Sequence, residues 1–373
     1  MDNLARARAH RDAGRPRDAL AVYARLVEQR PDPGVLTEAA EVALGVDPSL
    51  AEALARRSLE AAPNLALAAH QLAEAWARLG RLADARELLR AAVTQDGRLA
   101  DLRHPGARPW TERAPEAPCP ACETPGGELV FVGNATRVQT VFNQLDPVKA
   151  WVRCGSCGLV RQPDPPSDEA LGRYYAAQRG SAQGVAPPDG RAVTQECLTW
   201  EPVLQQLERA IGGAGTLLEV GSAWGVFLAA AQWRGWDVRG LELSAPAAAH
   251  AQRTFGVPVD AARVPEELPD ATFDAVVLWE VIEHFRRPDE ALSALARRVR
   301  PGGVLALSTP DLDHPAHRAL GADDPMWSVP GHLVYYDRRT LDAAIVRAGL
   351  QVEARWFSAR HVGSVGVIAR RPA

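Results

Sequence analysis

Two Cys-x-x-Cys pairs are the clearest sign of a metal site in this chain of 373 residues. They read "CPAC" at 119–122 and "CGSCG" at 154–158, and of the five cysteines only Cys197 lies outside them. Each pair can present two sulfur atoms from one tight turn, and four thiolates are a typical ligand set for tetrahedral Zn²⁺. We therefore expect one structural zinc ion, with no open coordination position for catalysis, at Cys119, Cys122, Cys154 and Cys157.

Two other uses of these cysteines are open. A disulfide-bonded arrangement is the first, although disulfides are rare in a reducing compartment. A redox-active Cys-x-x-Cys is the second, although no thioredoxin-like βαβ pattern surrounds either pair.

An acid and two glycines form a second pattern, in "LLEVGSAWG" at 217–225. A dinucleotide-binding loop would need Gly-x-Gly so that its backbone could approach a pyrophosphate, and this loop lacks it. Glu219 would also repel a pyrophosphate. S-adenosylmethionine fits better, because it has no phosphate and carries an ammonium and a sulfonium group. Glu219 can face its amino acid end, and Glu242, after the next strand, can accept hydrogen bonds from both ribose hydroxyls.

Strands and helices that alternate from about residue 195 onward must position these residues. A helix near 195–211 is followed by six apolar strands, most of them separated by helical stretches: "TLLEV", "DVRGLEL", "FDAVVLWE", "VLALSTP", "LQVEARWF" and "GSVGVIAR". This pattern predicts an α/β fold with a mostly parallel sheet and helices on both faces. Ligands of such sheets bind at the carboxyl ends of the strands, where Glu219 and Glu242 are expected.

The first hundred residues contain a repeat with a period close to 33 residues. Its small and aromatic positions recur in three sets: Gly14, Ala19, Tyr23 and Pro31; Ala51, Ala55 and Pro63; Gly80, Ala85 and Leu89. The period and the residue types resemble the tetratricopeptide repeat, although the middle unit lacks the turn glycine. The resemblance implies paired antiparallel helices, which either bind a protein partner or fix the arrangement of the domains.

Composition divides the chain into five segments. Two of them, rich in Pro and Gly, read as linkers. The expected order is helical repeats at 1–100, a linker at 101–118, a zinc-ribbon module at 119–178, a linker at 179–194 and an α/β domain at 195–373.

The α/β domain resembles the class I S-adenosylmethionine-dependent methyltransferases, most closely the group of the ubiquinone-biosynthesis O-methyltransferases. The resemblance rests on "LEVGSAWG", Glu242, "FDAVVLWEVIEHFRRPDEAL", "RPGGVLALSTP" and "GHLVYYDRRTL". It implies a doubly wound, seven-stranded sheet and an adenine contact for which Asp260 is a candidate. The cofactor-binding residues it implies are Glu219, Gly221, Ser222, Ala223, Gly225, Glu242, Leu243, Trp279 and Glu280.

A general base is needed if the methyl acceptor is a hydroxyl or a carbon acid. His284 follows "FDAVVLWE" closely and is expected on the acceptor side of the cofactor, although it could instead cap or pack the next helix. His332, in "PGHLVYY", is the second candidate, and His314 and His317 lie in a segment expected to form a lid.

These patterns favour methyl transfer to a small polar acceptor. The cysteine pairs, the tyrosines at 174–175 and the α/β domain together resemble zinc-bearing methyltransferases of sugar and secondary-metabolite pathways. An RNA methyltransferase is an alternative that the net charge of −4 disfavours. A scaffold with an inactive methyltransferase fold is another. No stretch is long and apolar enough to cross a membrane, nor does the start read as a signal peptide, so a cytoplasmic location is expected.

Overall fold

A computed structural model describes nine stretches of the chain: residues 3–29, 31–81, 84–85, 87–88, 117–134, 148–180, 187–321, 324–329 and 331–373. The chain forms two compact units. The first comprises Met1–Thr111, Leu129–Val152 and Trp327–Pro330, and the second Glu112–Glu128, Arg153–Met326 and Gly331–Ala373. Most of the predicted linker at 101–118, and residues 181–186 of the linker at 179–194, lie outside the described residues.

Five helices make up most of the described part of the first unit: α1 (Asn3–Asp12), α2 (Pro16–Gln29), α3 (Pro33–Leu44), α4 (Pro48–Ala61) and α5 (Ala66–Arg78). Ala19, Ala51 and Ala55 are fully buried, as expected where helices touch. Gly14 and Gly80 have φ of 67° and 83°, which favours glycine in these turns. The middle turn instead starts α4 with Asp47, whose carboxylate accepts hydrogen bonds from two backbone N–H groups. Helical hairpins are thus present, while membership of the tetratricopeptide repeat family stays a prediction.

Part of the predicted zinc-ribbon segment groups with the helices rather than with the cysteines. Strands β1 (Glu128–Asn134) and β2 (Val148–Arg153) are neighbours in one sheet. The Trp151 indole N–H donates to the carbonyl of Trp327 at 2.9 Å, and Lys149 Nζ donates to the carbonyl of Val329 at 2.5 Å. These contacts join two of the three sequence segments of the first unit, a grouping that a division by sequence segments does not anticipate.

A seven-stranded sheet dominates the second unit. Its strands are β4 (Thr216–Val220), β5 (Asp237–Glu242), β6 (Val259–Ala261), β7 (Phe273–Trp279), β8 (Val299–Pro310), β10 (Gln351–Phe357) and β11 (Ser364–Arg370). Their order is β10-β11-β8-β7-β4-β5-β6. Strands β4 to β8 are mutually parallel, and β11 is antiparallel to both of its neighbours. The strand order reverses between β4 and β7, where a ligand crevice is expected.

Helices and short elements complete the second unit. The α-helices are α6 (Asp168–Gly180), α7 (Gly190–Ile211), α8 (Val226–Trp233), α9 (Ala245–Phe255), α10 (Pro288–Arg298), α11 (Pro315–Leu320) and α12 (Arg338–Arg347). A short 3₁₀ helix spans Ile282–His284, and β3 (Val160–Arg161) pairs antiparallel with β9 (Val334–Tyr335). A second 3₁₀ helix, Pro325–Ser328, lies where the chain passes from the second unit into the first. None of the described helices is long and apolar enough to cross a membrane.

Alternating side chains of the central strands feed two separate hydrophobic cores. Leu218 of β4 and Val276 of β7 belong to one core, while Leu217 and Val277 belong to the other. Both faces of the sheet are therefore covered, which is typical of a parallel sheet. The six strands expected from the sequence are all present. The seventh strand, which the family resemblance implied, is the three-residue β6, and the strand pattern did not locate it because so short a segment carries no periodicity.

Candidate cofactor and acceptor site

The glycine loop after β4 turns sharply at the carboxyl end of the sheet. Gly221, Ala223 and Gly225 have φ of 73°, 51° and 81°. A Cβ at Gly221 would lie 2.6 Å from Val281 Cγ2, and one at Gly225 would lie 2.5 Å from Ala251 Cβ. The two glycines are thus required both by backbone conformation and by close packing.

Glu242 at the end of β5 binds this loop. One carboxylate oxygen accepts from the backbone N–H of Ala223 at 2.8 Å, and the other accepts from that of Ser244 at 2.9 Å. The side chain is buried, with 4% relative exposure. Two N–H donors fix the plane of the carboxylate, a group that has about four lone-pair sites for donors.

A cavity of about 490 Å³ opens beside the loop. Of the cofactor residues expected from the sequence, five line it: Gly221, Glu242, Leu243, Trp279 and Glu280. Ala223 and Gly225 shape the loop behind it. Glu219 and Ser222 are buried, with 3% exposure each, and do not line the cavity. Asp260 lies outside it and forms an ion pair with Arg239 at 2.8 Å.

Trp279, the last residue of β7, and Glu280, which follows it, form part of the cavity wall. The Trp279 ring packs against Trp200 and Phe227, with centroid distances of 5.3 and 5.4 Å. Glu280 has a φ of 54° and accepts a hydrogen bond from Ser364 Oγ at 2.8 Å. Burial raises the pKa of this carboxyl group. A non-glycine residue with positive φ at a cavity wall is typical of a functional position.

His284 ends the 3₁₀ helix after β7 and lines the cavity. Its Nδ1 lies 2.9 Å from the carbonyl oxygen of Gly331 and 2.8 Å from the Tyr175 hydroxyl. Because a carbonyl oxygen only accepts, Nδ1 carries the proton in the neutral ring. Nε2 is therefore a proton acceptor.

His332 adopts the same tautomer by another route. Its Nδ1 lies 2.9 Å from the Tyr335 hydroxyl, and that hydroxyl donates its single proton to the carbonyl of Met326. Nδ1–H of His332 is therefore the donor, and Nε2 again is an acceptor. The two imidazole rings are 4.7 Å apart, but His332 is buried and does not line the cavity.

Glu283 brings a third acceptor atom to the two histidines. Its Oε1 lies 4.0 Å from Nε2 of His284 and 3.8 Å from Nε2 of His332, while Oε2 accepts from Thr309 Oγ1 at 2.9 Å. Glu283 is fully buried, and burial followed by the charge of Glu280 raises its pKa well above the usual range. Three acceptor atoms that face one another repel unless a proton or a cation lies among them. One carboxylate and two imidazoles also form a ligand set for a divalent metal ion, and their ligand atoms lie within 4.8 Å of one another.

The four cysteines of the two pairs come together in the second unit. Sγ of Cys119 lies 3.5 Å from that of Cys157, and Sγ of Cys122 lies 3.5 Å from that of Cys154. All four sulfur atoms lie within 4.8 Å of one another, whereas a disulfide needs about 2.05 Å. Tetrahedral zinc with Zn–S bonds of about 2.3 Å separates its sulfurs by about 3.8 Å, so the arrangement fits zinc. Cys197 lies on α7 and has no part in this cluster.

Tyr175 and Glu283 are two residues of the site to which the sequence assigned no role. Tyr175 lies on α6, which also contributes Asp168, Leu171 and Gly172 to the cavity wall. Arg286 donates to Asp168 at 2.8 Å and so ties α6 to the segment after the 3₁₀ helix. The second acid of "EVIEH" is Glu283, and its place beside apolar residues was a signal that could have indicated a functional role. Nothing in the sequence places Tyr175 against His284.

His314 and His317, in the segment predicted to form a lid, contact nearby residues of the chain. Nδ1 of His314 accepts from the backbone N–H of Ala316 at the start of α11. Nδ1 of His317 lies 2.5 Å from Oδ2 of the buried Asp324. Neither histidine lines the cavity.

Comparison with known proteins gives one family match. Residues 194–355 match the model of a methyltransferase domain. The ubiquinone biosynthesis O-methyltransferase of Pseudomonas paraeruginosa is 36% identical over 110 residues, which are 27% of this chain and 47% of that protein. The enzyme of the same name from Paramagnetospirillum magneticum is 38% identical over 100 residues, 25% of this chain and 40% of that one. The chain thus spans less than half the length of either relative.

Solved structures show weaker likenesses. The sugar N-methyltransferase KedS8 from Streptoalloteichus is 19% identical, with a TM-score of 0.40 over 50% of this chain and 90% of that one. The 1,6-didemethyltoxoflavin-N1-methyltransferase of Burkholderia thailandensis is 17% identical, with a TM-score of 0.43 over 60% and 96%. Likenesses of this size do not indicate the substrate. The residues that match the methyltransferase-domain model include the glycine loop, Glu242 and His284.

Proposed function

We propose that this protein transfers the methyl group of S-adenosylmethionine to a small polar acceptor. The observation that carries the proposal is the carboxylate of Glu242, which is fixed by two N–H groups beside the glycine loop and faces a cavity of about 490 Å³. A buried carboxylate at the end of the second parallel strand suits the two hydroxyls of a ribose. Leu243, exposed at the cavity, offers an apolar surface for the adenine.

The chemistry asks the chain mainly to align the reactants. The acceptor oxygen or nitrogen attacks the methyl carbon, the bond from that carbon to the sulfonium breaks, and neutral S-adenosylhomocysteine leaves. Positioning of this kind can supply several kcal/mol of the barrier. We assign His284 as the base, because its Nε2 can take the acceptor proton while the bond from Nδ1 to Gly331 holds the ring.

Two roles remain for the group formed by Glu283, His284 and His332. It either relays a proton away from the acceptor, with His284 as the base, or it would hold a divalent cation, in which case Nε2 of His284 would be a ligand and not the base. The raised pKa of Glu283 supports the first role, and the spacing of the three ligand atoms supports the second.

The four-cysteine cluster is proposed to hold one structural zinc ion. All four sulfurs would be ligands, so the ion would stabilise the surrounding loops and have no position for a substrate. Elemental analysis of protein prepared without chelator should give one zinc per chain, and Cys157→Ser should lose it. Cys197→Ser is the matched control and should keep the full zinc content.

Two alternatives to this function are an RNA acceptor and a protein without transfer activity. An RNA methyltransferase is disfavoured by the net charge of −4, and an inactive scaffold is disfavoured by the intact glycine loop and Glu242. A cell extract incubated with the protein and radiolabelled S-adenosylmethionine separates these cases. Label in the small-molecule fraction supports the proposal, label in RNA supports the first alternative, and no label in any fraction supports the second.

Calorimetry with S-adenosylhomocysteine tests the cofactor site without an acceptor. Glu242→Ala should weaken binding by about 2–4 kcal/mol, because it removes a carboxylate that accepts buried hydrogen bonds. Asp260→Ala, at the next strand and outside the cavity, should leave the affinity unchanged. Equal affinity of Glu242→Ala and the parent protein would contradict the assignment of the ribose site.

A further inference from the structure

The segment that leaves the second cysteine pair contacts the loop that carries His332. Val160 and Arg161 pair antiparallel with Tyr335 and Val334. The next residue, Gln162, adds two hydrogen bonds to the same loop. Its backbone N–H donates to the carbonyl of Leu333 at 3.0 Å, and its Nε2 donates to the carbonyl of His332 at 2.5 Å.

The other side of this loop is bound by the 3₁₀ helix. The backbone N–H of Leu333 donates to the carbonyl of Glu283 at 2.8 Å. The backbone at 332–333 is therefore held between the cysteine segment and the element that carries Glu283 and His284. Gln162 has 3% relative exposure, so water cannot readily replace its amide as a donor.

The cysteine turn sets the course of this segment. Gly158 N–H donates to the carbonyl of Cys154 at 2.9 Å, and Cys154 N–H donates to the carbonyl of Leu159 at 3.0 Å. Ligation of the Cys154 and Cys157 thiolates would fix this turn, and Val160 follows it directly. The path from a bound zinc ion to His332 is thus one turn, one short strand and one side-chain amide.

We propose that Gln162 is a positioning residue that holds the backbone of His332 and so couples the four-cysteine cluster to the histidine pair. The proposal rests on the proposed function for the role of that pair. The ring of His332 is held at Nδ1 by Tyr335, and its backbone is held by Gln162. The first bond sets the rotation of the ring and the second sets the position of the backbone, and together they hold Nε2 at 3.8 Å from Oε1 of Glu283.

The test replaces the amide by a side chain of similar size that cannot donate. In Gln162→Met, the imidazole nitrogen resonances of His332 in long-range ¹H–¹⁵N spectra should shift, with His332→Gln used to assign them. Zinc content and affinity for S-adenosylhomocysteine should stay at the parent values. Gln205→Met is the matched control, because Gln205 is exposed and donates only to Glu201 among the described residues. It should shift no histidine resonance.

Gln162→Leu is the second variant, in which the donor is lost and no charge is introduced. Unshifted His332 resonances in both folded variants would overturn the proposal. Loss of zinc and of S-adenosylhomocysteine affinity together with the shift would overturn it too, because Gln162 would then be a general structural residue. If the parent protein fails to bind S-adenosylhomocysteine, the proposed function is wrong, while the His332 spectra still decide the role of Gln162.

Discussion

His284 and His332 have the same tautomer but different access to the cavity. His284 lines it, whereas His332 is buried behind it, with 8% exposure. Only His284 is therefore placed to meet an acceptor, and His332 is better suited to support it. The side-chain hydroxyls that hold the two rings belong to Tyr175 and Tyr335, from different elements.

His284→Asn should lower turnover by about 10²-fold or more, because it removes the base and keeps the size of the side chain. Affinity for S-adenosylhomocysteine and the melting temperature should change little. The measurement is single-turnover methyl transfer with the acceptor found in the labelling experiment, together with calorimetry and thermal unfolding. A large drop in melting temperature with normal turnover of the folded fraction would show that His284 is structural and would contradict its assignment as the base.

The buried Glu283 predicts a pH-dependent stability. Its pKa in the folded protein is raised above the ordinary value of 4.5. The stability that this group contributes to the folded state is therefore fully present below pH 4.5 and is lost as the pH rises through the folded pKa. Glu283→Gln stays neutral at every pH. The melting temperature of the variant relative to the parent should therefore increase from pH 5 to pH 8, by about 2–4 °C per kcal/mol for a domain of this size.

A bound divalent cation would reverse this result. It would keep Glu283 ionised, and Glu283→Gln would then lower the melting temperature at pH 8 and lose the ion. Thermal unfolding of both proteins at the two pH values, with and without a chelator, distinguishes a shared proton from a cation.

At the scale of elements, the glycine loop and α9 are fitted to each other. Gly225→Ala would place a Cβ 2.5 Å from that of Ala251 on α9, in a backbone with φ of 81°. We expect a conformational cost of about 1–2 kcal/mol and about 1–3 kcal/mol more from overpacking. The variant should unfold at a lower temperature and bind S-adenosylhomocysteine more weakly.

Gly256→Ala is the matched control for this prediction. Gly256 has φ of 69°, and a Cβ there would meet nothing within 4 Å. It should show the conformational cost alone and normal affinity. Equal destabilisation of the two variants in denaturant unfolding would mean that close packing of the loop on α9 has no part in stability.

At the scale of the whole molecule, the cavity of the candidate site is lined by residues of the second unit. Every residue that lines it falls between Asp168 and Glu290. A chain starting at residue 112 should therefore keep the parent affinity for S-adenosylhomocysteine, as measured by calorimetry. A marked loss of affinity in a folded product would show that the residues before 112 contribute to cofactor binding.

The sequence by itself determined the α/β domain, because alternating apolar strands and amphipathic helices are local patterns. Its glycine loop and Glu242 were predictable too, since each follows a strand directly and its chemistry is set by neighbours in the chain. The cysteine cluster was predictable from the spacing of the two pairs alone. In each case a few consecutive residues contain the signal.

Tertiary structure decided the rest, because its contacts join residues far apart in the chain. Tyr175 meets His284 across 109 positions, and Gln162 meets His332 across 170. Nothing near Glu219 or Asp260 in the sequence indicates that both stay out of the cavity. Which side chains line a crevice depends on how strands from different parts of the chain pair and twist, and that pairing is fixed only when the cores on both faces of the sheet are packed.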